Sequence, residues 1–356
     1  MRICIVLASA PEGSATGGVE KATHALCVGL LRAGHDVTLI ANGHGAEDAW
    51  PGVPTVRVTD SGRRMLVGGA HEWCGAIVGT LARLKPCVAQ GQGLGFAGSA
   101  VVAWRGGASV VAAHGNILRD LRHTYSLPGW AVRAPLVRAR SMHAVRSADA
   151  VVNVTTDWRV NCPLEPRTAV HIPNPVDDAF FAVEASPAAG TVAFFGGARR
   201  IKGADLLLSA WPRVLSEIPD ARLDLYGLGA NSGARLPPGC VAHASLESNV
   251  DMAAAMSRTS VVVIPSRFEV SPLVAAEAMA IGVPVVATDV GGVRAMTEGV
   301  ASLCRVSPSD IADHLVSALK GPPDRAERLR EGQSRSAAFR IDEVASSYTS
   351  LYAALV

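Results

Sequence analysis

Residues 260–287 read SVVVIPSRFEVSPLVAAEAMAIGVPVVA, and this stretch decides the fold. An apolar run ends at Pro265, a run of small helix-forming residues follows Pro272, and a second apolar run follows Pro284. A strand, a helix and a strand in this order predict a βαβ unit with parallel strands. Ser271 suits an N-cap and Pro272 a first helical residue, so we expect the helix to begin where the first strand ends.

The same alternation runs along the whole chain and predicts an α/β protein. The first helical pattern covers 19–33, with a possible stop at Gly34, and the last covers 341–355. Strands are predicted at 2–7, 36–40, 87–89, 109–113, 150–154 and 169–172, and then at 191–195, 222–226, 260–264, 284–287 and 301–304.

The chain is long enough for two domains. Its 356 residues, of which 49% are hydrophobic, exceed what one core usually organises. Pro173 and Pro175 interrupt the pattern, and a linker-like stretch follows at 185–190. We therefore expect two Rossmann-like domains, residues 1–176 and 177–340, joined near Pro173 to Pro187 and facing a cleft at the carboxyl ends of their strands.

Composition excludes several classes of protein. Seven scattered cysteines without a Cys-x-x-Cys pair fit buried thiols in a reducing compartment, and a net charge of +2 gives no general attraction to nucleic acid. No apolar run reaches the length of a membrane span, and Met1 and Arg2 lead directly into a strand. These features predict a cytoplasmic protein that binds no nucleic acid, and the arginine and alanine bias suggests a bacterial source.

The loop and helix after residue 264 carry two carboxylates. Glu269 lies in the loop, and Glu277 lies among small apolar residues of the helix, where an ionised carboxylate needs a partner. The free N–H groups at the start of this helix attract phosphate. One carboxylate could hold a ribose and the other a hexose, with a diphosphate between them. The alternative is a solvated Glu269 and a structural Glu277.

The spacing of these glutamates resembles that of the retaining glycosyltransferases of the GT-B fold that carry a Glu-x7-Glu motif, family 4. The resemblance also covers Gly282 to Ala287 and Gly291-Gly292. It implies that Glu269 contacts the transferred sugar, that Glu277 holds the nucleoside ribose, and that Ser271, Pro272 and Leu273 form part of the donor site. It also implies that the last helix, 341–356, returns to the first domain.

A basic loop follows the first strand of the second domain. It begins with Gly196-Gly197 and contains Arg199, Arg200 and Lys202, whose charges could neutralise a diphosphate leaving group. Lys202 matches the lysine of the family. The family's arginine usually stands where this chain has Gly197, so we expect Arg199 or Arg200 to replace it. A solvated basic turn is the alternative.

The first domain offers a glycine loop and a histidine. Residues 13–20 contain Gly17 and Gly18, which let the backbone approach a phosphate, and His114 ends an apolar strand. The resemblance places this loop over the donor diphosphate and the histidine near the donor sugar. A plain turn and a structural histidine are the alternatives. Asn174 and Asp177 resemble the family's interdomain Asn-Gly-Val-Asp and are interpreted as hinge residues.

These observations predict a retaining transferase that moves a hexose from a nucleoside diphosphate sugar to a hydroxyl group. UDP-sugar is the favoured donor over GDP- and TDP-sugars, and the acceptor is a small molecule, a natural product, a cell-surface saccharide or a lipid-linked sugar. The sequence contains no Asp-x-Asp, which metal-dependent transferases of the other major fold need, so we expect no metal and no other cofactor. The alternatives are a nucleotide-sugar 2-epimerase of the same fold and a non-catalytic partner protein that binds nucleotide sugar.

One segment is basic enough for contact with the surface of a membrane. Arginines, histidines and a tryptophan are dense between Arg119 and Arg146, and such a segment could rest on anionic lipid. A solvated helix face explains the same pattern and is the favoured interpretation.

Overall fold

We describe the protein from a computed structural model, which covers residues 1–8, 17–43, 49–58, 69–115, 127–157, 160, 166–229 and 236–356. Within helices, the side chains of 69–71 and 127–133 are left out of the description. The chain divides into two compact units, Met1–Pro175 together with Ile341–Val356, and Val176–Arg340. None of the described helices has the length and apolar character that crossing a bilayer requires.

The first unit is built on a parallel sheet. Its strands are β1 (Arg2–Leu7), β2 (Asp36–Asn42), β3 (Thr55–Val58), β4 (Val88–Gln92), β5 (Ala108–Ala113), β6 (Ala150–Asn153) and β7 (Ala169–His171). Their order in the sheet is β3-β2-β1-β4-β5-β6-β7. Its helices are α1 (Gly18–Arg32), α2 (Gly69–Leu84), α3 (Phe96–Ala103) and α4 (Leu127–Ser147).

Strand β1 shows why an unbroken apolar run forms the middle of this sheet. Successive side chains point to opposite faces, so Ile3 and Ile5 enter one core while Cys4 and Val6 enter the other. All four are fully buried. Both faces of a parallel sheet are covered, and a continuous apolar strand therefore fits only there.

The second unit repeats this plan. Its strands are β8 (Thr191–Phe194), β9 (Arg222–Tyr226), β10 (Cys240–His243), β11 (Val261–Ile264), β12 (Val285–Thr288) and β13 (Ser302–Cys304), ordered β10-β9-β8-β11-β12-β13. Its helices are α5 (Ala204–Glu217), α6 (Asn249–Ser257), α7 (Leu273–Ile281), α8 (Val293–Thr297), α9 (Pro308–Lys320) and α10 (Arg325–Ser336). Helix α11 (Ile341–Leu355) follows the second unit along the chain and belongs to the first unit.

The boundary between the units lies within the predicted range of Pro173 to Pro187, one residue before the predicted domain bound. Val176 was expected in the first domain, but its amide donates to the Phe339 carbonyl at 2.8 Å, and its side chain lies in the core of the second unit. Residues 185–190 are not the linker, because Ser186 N–H donates to the Ser257 carbonyl at 2.8 Å, within the second unit. The chain therefore passes between the units at two peptide bonds, Pro175–Val176 and Arg340–Ile341.

Helix α11 completes the core of the first unit. Tyr348 and Tyr352 are buried there, and the Tyr352 hydroxyl donates to Gln90 Oε1 at 2.5 Å. Where α11 meets α1, a Cβ on Gly29 would lie 2.8 Å from the Ala345 Cβ, so the missing side chain allows the close approach. Helix α11, from the end of the chain, thus packs against α1 and β4 from its beginning.

Candidate active site

The loop after β11 is held by the neighbouring strand. Ser266 is almost completely buried, and its carbonyl accepts a hydrogen bond from the Thr288 hydroxyl at 2.5 Å. Phe268 and Val270 are buried as well. Their alternation fixes which side chains of the loop point inward and leaves Glu269 at the carboxyl edge of the sheet.

Arg267 ties this loop to the basic turn after β8. Its amide donates to the Ile201 carbonyl at 2.8 Å, and its guanidinium donates to both carboxylate oxygens of Asp205 at 2.7 and 2.6 Å. These hydrogen bonds from Arg267 hold the pKa of the Asp205 carboxyl below its usual value. A bidentate pair of this kind fixes orientation as well as distance.

Lys202 and Glu269 meet directly. Lys202 Nζ lies 2.7 Å from Glu269 Oε1, and the Ser266 hydroxyl donates to the same oxygen at 2.7 Å. The Glu269 side chain is 10% exposed and that of Lys202 31% exposed. The carboxylate is therefore nearly buried and oriented by two donors, while the ammonium keeps a solvent-facing side.

Two glycines allow the loops around this pair to touch. Gly203 has a φ of +77°, and a Cβ there would stand 1.9 Å from the Pro265 carbonyl oxygen. Gly291 has a φ of +56°, and its Cβ would stand 1.8 Å from the Glu269 carbonyl oxygen. Only glycine fits both the left-handed backbone and the space. The turn carrying Lys202 and the loop carrying Glu269 thus depend on these two residues.

Helix α7 begins one residue later than predicted. Pro272 is its N-cap and Leu273 its first residue, so the prediction of Ser271 as N-cap was wrong. The reason is that Ala275 N–H donates to the Pro272 carbonyl at 2.9 Å, while the Ser271 hydroxyl points to Met296 Sδ at 3.9 Å. No side chain caps α7, which leaves its first N–H groups for other acceptors.

Glu277 lies in the middle of α7 and is 3% exposed. Its helix neighbours Ala276 and Ala278 are buried too. The structure therefore places both glutamates of the motif on the same loop and helix, with Glu269 before the helix and Glu277 within it.

The glycines and arginines of the basic loop have different surroundings. A Cβ on Gly196 would meet the Phe194 ring at 2.3 Å, so this glycine lets the turn close on its own strand. Gly197, where the family has arginine, has a φ of +66° that an arginine adopts only with strain. The side chains of Arg199 and Arg200 are exposed, without hydrogen bonds or ion pairs to other described residues.

A stack of three aromatic rings beside this loop was not predicted from the sequence. The Phe195 ring stacks on Tyr226 with centroids 4.7 Å apart, and Tyr226 stacks on His243 at 4.6 Å. His243 Nε2 lies 2.7 Å from Asp224 Oδ1. Tyr226 and His243 are register partners at the ends of β9 and β10, and Phe195 directly follows β8, so an aromatic ring at the end of each strand is the signal that could have found them.

In the first unit, His114 is held by two amides. Its Nδ1 lies 3.0 Å from Asn174 Oδ1, and its Nε2 makes a short contact with the side-chain amide of Gln92. Burial lowers the pKa of His114 to about 4. Both contacts are to amide oxygens, and a neutral ring carries one N–H, so His114 can donate to only one of these two oxygens. The role of His114 at the donor sugar stays a prediction, and such a contact would compete with Gln92 or Asn174.

The lowered pKa predicts a pH dependence of stability. The unfolded chain binds a proton at His114 near pH 6.5, whereas the folded chain does so only near pH 4. The contribution of His114 to stability is therefore complete above pH 6.5 and is lost as pH falls toward 4, by on the order of 3 kcal/mol. We expect a His114→Gln variant to lose less stability than the parent between pH 7 and 4.5 in urea unfolding. Equal losses in the two proteins would contradict this assignment.

The predicted glycine loop is described only from Gly17 onward, and 13–16 lie outside the described residues. Gly17 is the N-cap of α1 without a side-chain cap. A Cβ on Gly17 would meet Glu20 Oε2 at 2.7 Å, so a carboxylate already lies over this helix start. A diphosphate bound there would meet that negative charge, and the predicted role of Gly17 and Gly18 stays a prediction.

The basic segment is described in part. Arg119, Arg122 and His123 lie outside the described residues. On α4, Arg138, His143 and Arg146 are exposed, whereas Arg140 packs over the Phe96 ring at 5.0 Å. Arg140 therefore belongs to the α3–α4 interface, and membrane contact by the others stays a prediction.

Among the residues that the structure describes, no group of three or more histidine, cysteine, aspartate or glutamate side chains is placed to hold a metal ion.

Comparison with known proteins places this arrangement in a family. Residues 16–180 match the model of Glycosyltransferase Family 4, and residues 189–321 match the model of Glycosyl transferases group 1. The chain belongs to glycosyltransferase family 4. The resemblance given by the Glu-x7-Glu motif is thereby confirmed.

Relatives of this family 4 chain include the D-inositol 3-phosphate glycosyltransferase of Corynebacterium aurimucosum. The two are 31% identical over 178 residues, which is 46% of this chain and 42% of that protein. The match thus spans less than half the length of the curated relative.

Solved structures share the whole fold. The sucrose-phosphate synthase of Thermosynechococcus elongatus has a TM-score of 0.77 at 20% identity, covering 99% of this chain and 98% of that one. Anabaena Alr3699/HepE in complex with UDP-glucose has a TM-score of 0.75 at 16% identity, covering 100% of both chains. The predicted fold class, an α/β protein of GT-B type with two parallel-sheet domains, is confirmed.

Proposed function

We propose that this chain transfers a hexose from a nucleoside diphosphate sugar to an acceptor hydroxyl, with retention of configuration and without a metal ion. UDP-sugar is the favoured donor, and the second unit binds it. The observation that carries this proposal is the contact between Lys202 and Glu269, which sets a cation beside an oriented carboxylate at the carboxyl edge of a sheet. The presence of UDP-glucose in Anabaena Alr3699/HepE supports the donor class.

Lys202 serves the leaving group. An ammonium has three N–H donors, and only one is needed for Glu269, so the others can reach phosphate oxygens. Negative charge grows on the diphosphate as its bond to the sugar breaks. A cation already fixed in place stabilises that charge more in the transition state than in the ground state. Arg199 and Arg200 carry exposed charges on the same turn and could add to this effect.

Glu269 serves the sugar. Both of its described hydrogen bonds go to Oε1, which leaves Oε2 as the oxygen that can accept from a sugar hydroxyl. Its negative charge also favours the positive charge that develops on the anomeric carbon. Glu277 on the same helix is proposed to hold the nucleoside ribose, and the uncapped N–H groups at Leu273 to face the diphosphate.

The reaction then needs no protein base. The bond from the anomeric carbon to the diphosphate oxygen breaks, and a bond to the acceptor oxygen forms on the same face of the sugar. The acceptor proton passes to the departing phosphate oxygen. The first unit is proposed to bind the acceptor, and the name of the Corynebacterium relative makes an inositol phosphate a first acceptor to test beside small natural products and lipid-linked sugars.

A donor screen tests this proposal. We expect one of UDP-, GDP- or TDP-glucose, at millimolar concentration and with EDTA present, to raise the melting temperature and to be hydrolysed slowly to free nucleotide. Proton NMR of the products separates the alternatives: retained configuration supports the transferase, while inversion at C2 of UDP-N-acetylglucosamine supports the epimerase. Binding without turnover of any donor with acceptor would support the non-catalytic partner protein, and absence of binding would remove the donor site.

A further inference from the structure

The second unit contains a pocket at the end of α7 that is remote from Lys202 and Glu269. Its volume is about 90 Å³, and it lies between the C-terminal ends of α7 and α9, the start of β12 and one face of α10. Its apolar wall is formed by Met279, Val283, Val285 and Val300, all buried. Helix α7 separates the two places, because its nine residues span about 13 Å from Leu273 beside the Glu269 loop to Ile281 beside the pocket.

The size of the pocket limits what it can hold. A single water needs about 10 to 15 Å³ of such a cavity, so this volume corresponds to about six to nine non-hydrogen atoms. An apolar wall of this extent favours a hydrocarbon body over a chain of ordered waters. The volume therefore fits a short alkyl or small aromatic group and excludes a sugar nucleotide.

The other side of the pocket is basic. Arg325 and Leu329 lie one helical turn apart on α10 and line it together with Arg328. Arg328 is paired with Asp324 at 2.6 Å. Among the described residues, Arg325 donates to two carbonyls, of Ala318 at 3.3 Å and of Ser260 at 3.5 Å.

A guanidinium has five N–H donors, so most of those of Arg325 stay available. Within the described part of the chain, no carboxylate lies within ion-pair distance of Arg325. The pocket thus combines an apolar wall with one cation that lacks a counter-charge. The matching ligand has one negative charge at one end and a hydrocarbon body at the other.

We propose that this pocket binds a small amphipathic carboxylate with a hydrocarbon body of about three to six carbon atoms, which together with the carboxylate makes about six to nine non-hydrogen atoms. The carboxylate accepts hydrogen bonds from Arg325, in the planar arrangement that a guanidinium offers, and the body lies against Met279 and Val285. This site is separate from donor binding, and no step of the proposed sugar transfer uses it.

Hexanoate is the probe, with hexylammonium and hexan-1-ol as matched ligands of the same length. We expect hexanoate at millimolar concentration to raise the melting temperature of the full chain and to bind with one-to-one stoichiometry in calorimetry. The alcohol should bind at least about tenfold more weakly, and the ammonium should not bind, because each lacks the charge that Arg325 attracts. Equal effects of all three ligands, or no effect of hexanoate, would overturn the proposal.

Two variants locate the binding. Ser317 is exposed at the mouth of the pocket, so Ser317→Trp should fold normally, block entry and abolish the hexanoate shift. Ser309→Trp, at an exposed position on the same helix α9 but outside the pocket, should retain the shift. Arg325→Gln keeps an N–H donor for Ala318 and should weaken hexanoate binding at least about tenfold. A hexanoate shift that survives Ser317→Trp would place the ligand elsewhere and refute the site, whatever the outcome of the donor screen.

Discussion

Replacing Lys202 with alanine is expected to lower kcat for sugar transfer, or for hydrolysis of the donor identified in the screen, by about 100- to 1,000-fold. The lysine contributes a fixed positive charge where the diphosphate becomes more negative, so its loss acts mainly on the transition state. The variant also leaves Glu269, only 10% exposed, with Ser266 as its remaining hydrogen-bond donor among the contacts described above. Steady-state kinetics with EDTA present measures the effect, and KM should change much less than kcat.

Lys320→Ala is the matched control. Lys320 Nζ lies 3.1 Å from Glu217 on the surface of the same unit, so this variant also removes a lysine from an ion pair. It should retain the parent kcat. If Lys202→Ala kept kcat within threefold of the parent, the assignment of Lys202 to the leaving group would be wrong. Single changes of Arg199 and Arg200 to alanine, measured in the same assay, show which of them takes the part of the family arginine.

Replacing Gly203 with alanine is expected to destabilise the second unit by at least about 3 kcal/mol. The new Cβ would lie 1.9 Å from the Pro265 carbonyl oxygen, so one of two backbone segments must move. The left-handed φ of +77° adds about 1 to 2 kcal/mol of strain for alanine. Since Gly203 follows Lys202 and Pro265 precedes Ser266, the movement should also separate Lys202 from Glu269. Urea unfolding and donor affinity measure the two consequences.

Gly321→Ala separates the two causes. Gly321 has a φ of +78°, and a Cβ there would meet no atom within 4 Å. This variant therefore carries the strain of the left-handed backbone without the clash, and we expect it to lose about 1 to 2 kcal/mol. Equal losses in the two variants would show that the approach of Gly203 to Pro265 contributes nothing, contrary to the structure.

The strands that the sequence predicted best are those buried on both faces. Strand β11 is apolar throughout and β1 is apolar after Arg2, and the prediction found both within one residue. Strands β3 and β10 were missed: both are four-residue edge strands in which polar residues such as Arg57 and His243 leave no continuous apolar run. An edge strand gains its stability from its neighbour, and that neighbour is not visible in the local pattern.

The residues of the candidate site also fall into those that the sequence predicted and those that it did not. Lys202 and Glu269 were identified from their positions after strands and from the resemblance to the family, and the structure places Lys202 Nζ 2.7 Å from Glu269 Oε1. Ser266, which orients Glu269, and Gln92, which holds His114, were not identified. The hydrogen bond of Ser266 depends on side-chain directions in the loop after β11, and that of Gln92 on the alignment of the ends of β4 and β5, and only the folded backbone fixes either. The start of α7 was misplaced because Ser271 and Pro272 are both good residues for a helix start, and geometry alone decides between them.

The pairing of Val176 with Arg340 has a consequence for how such proteins can be recombined. The two ends of the second unit form a β-bridge, so this unit leaves the chain and re-enters it at one place. A segment whose ends meet can be exchanged with the matching segment of another protein by two cuts, without an added linker to bridge them. The first unit is therefore a host domain and the second unit is inserted into it. A chimaera that keeps both Val176 and Arg340 preserves the geometry where the inserted unit begins and ends.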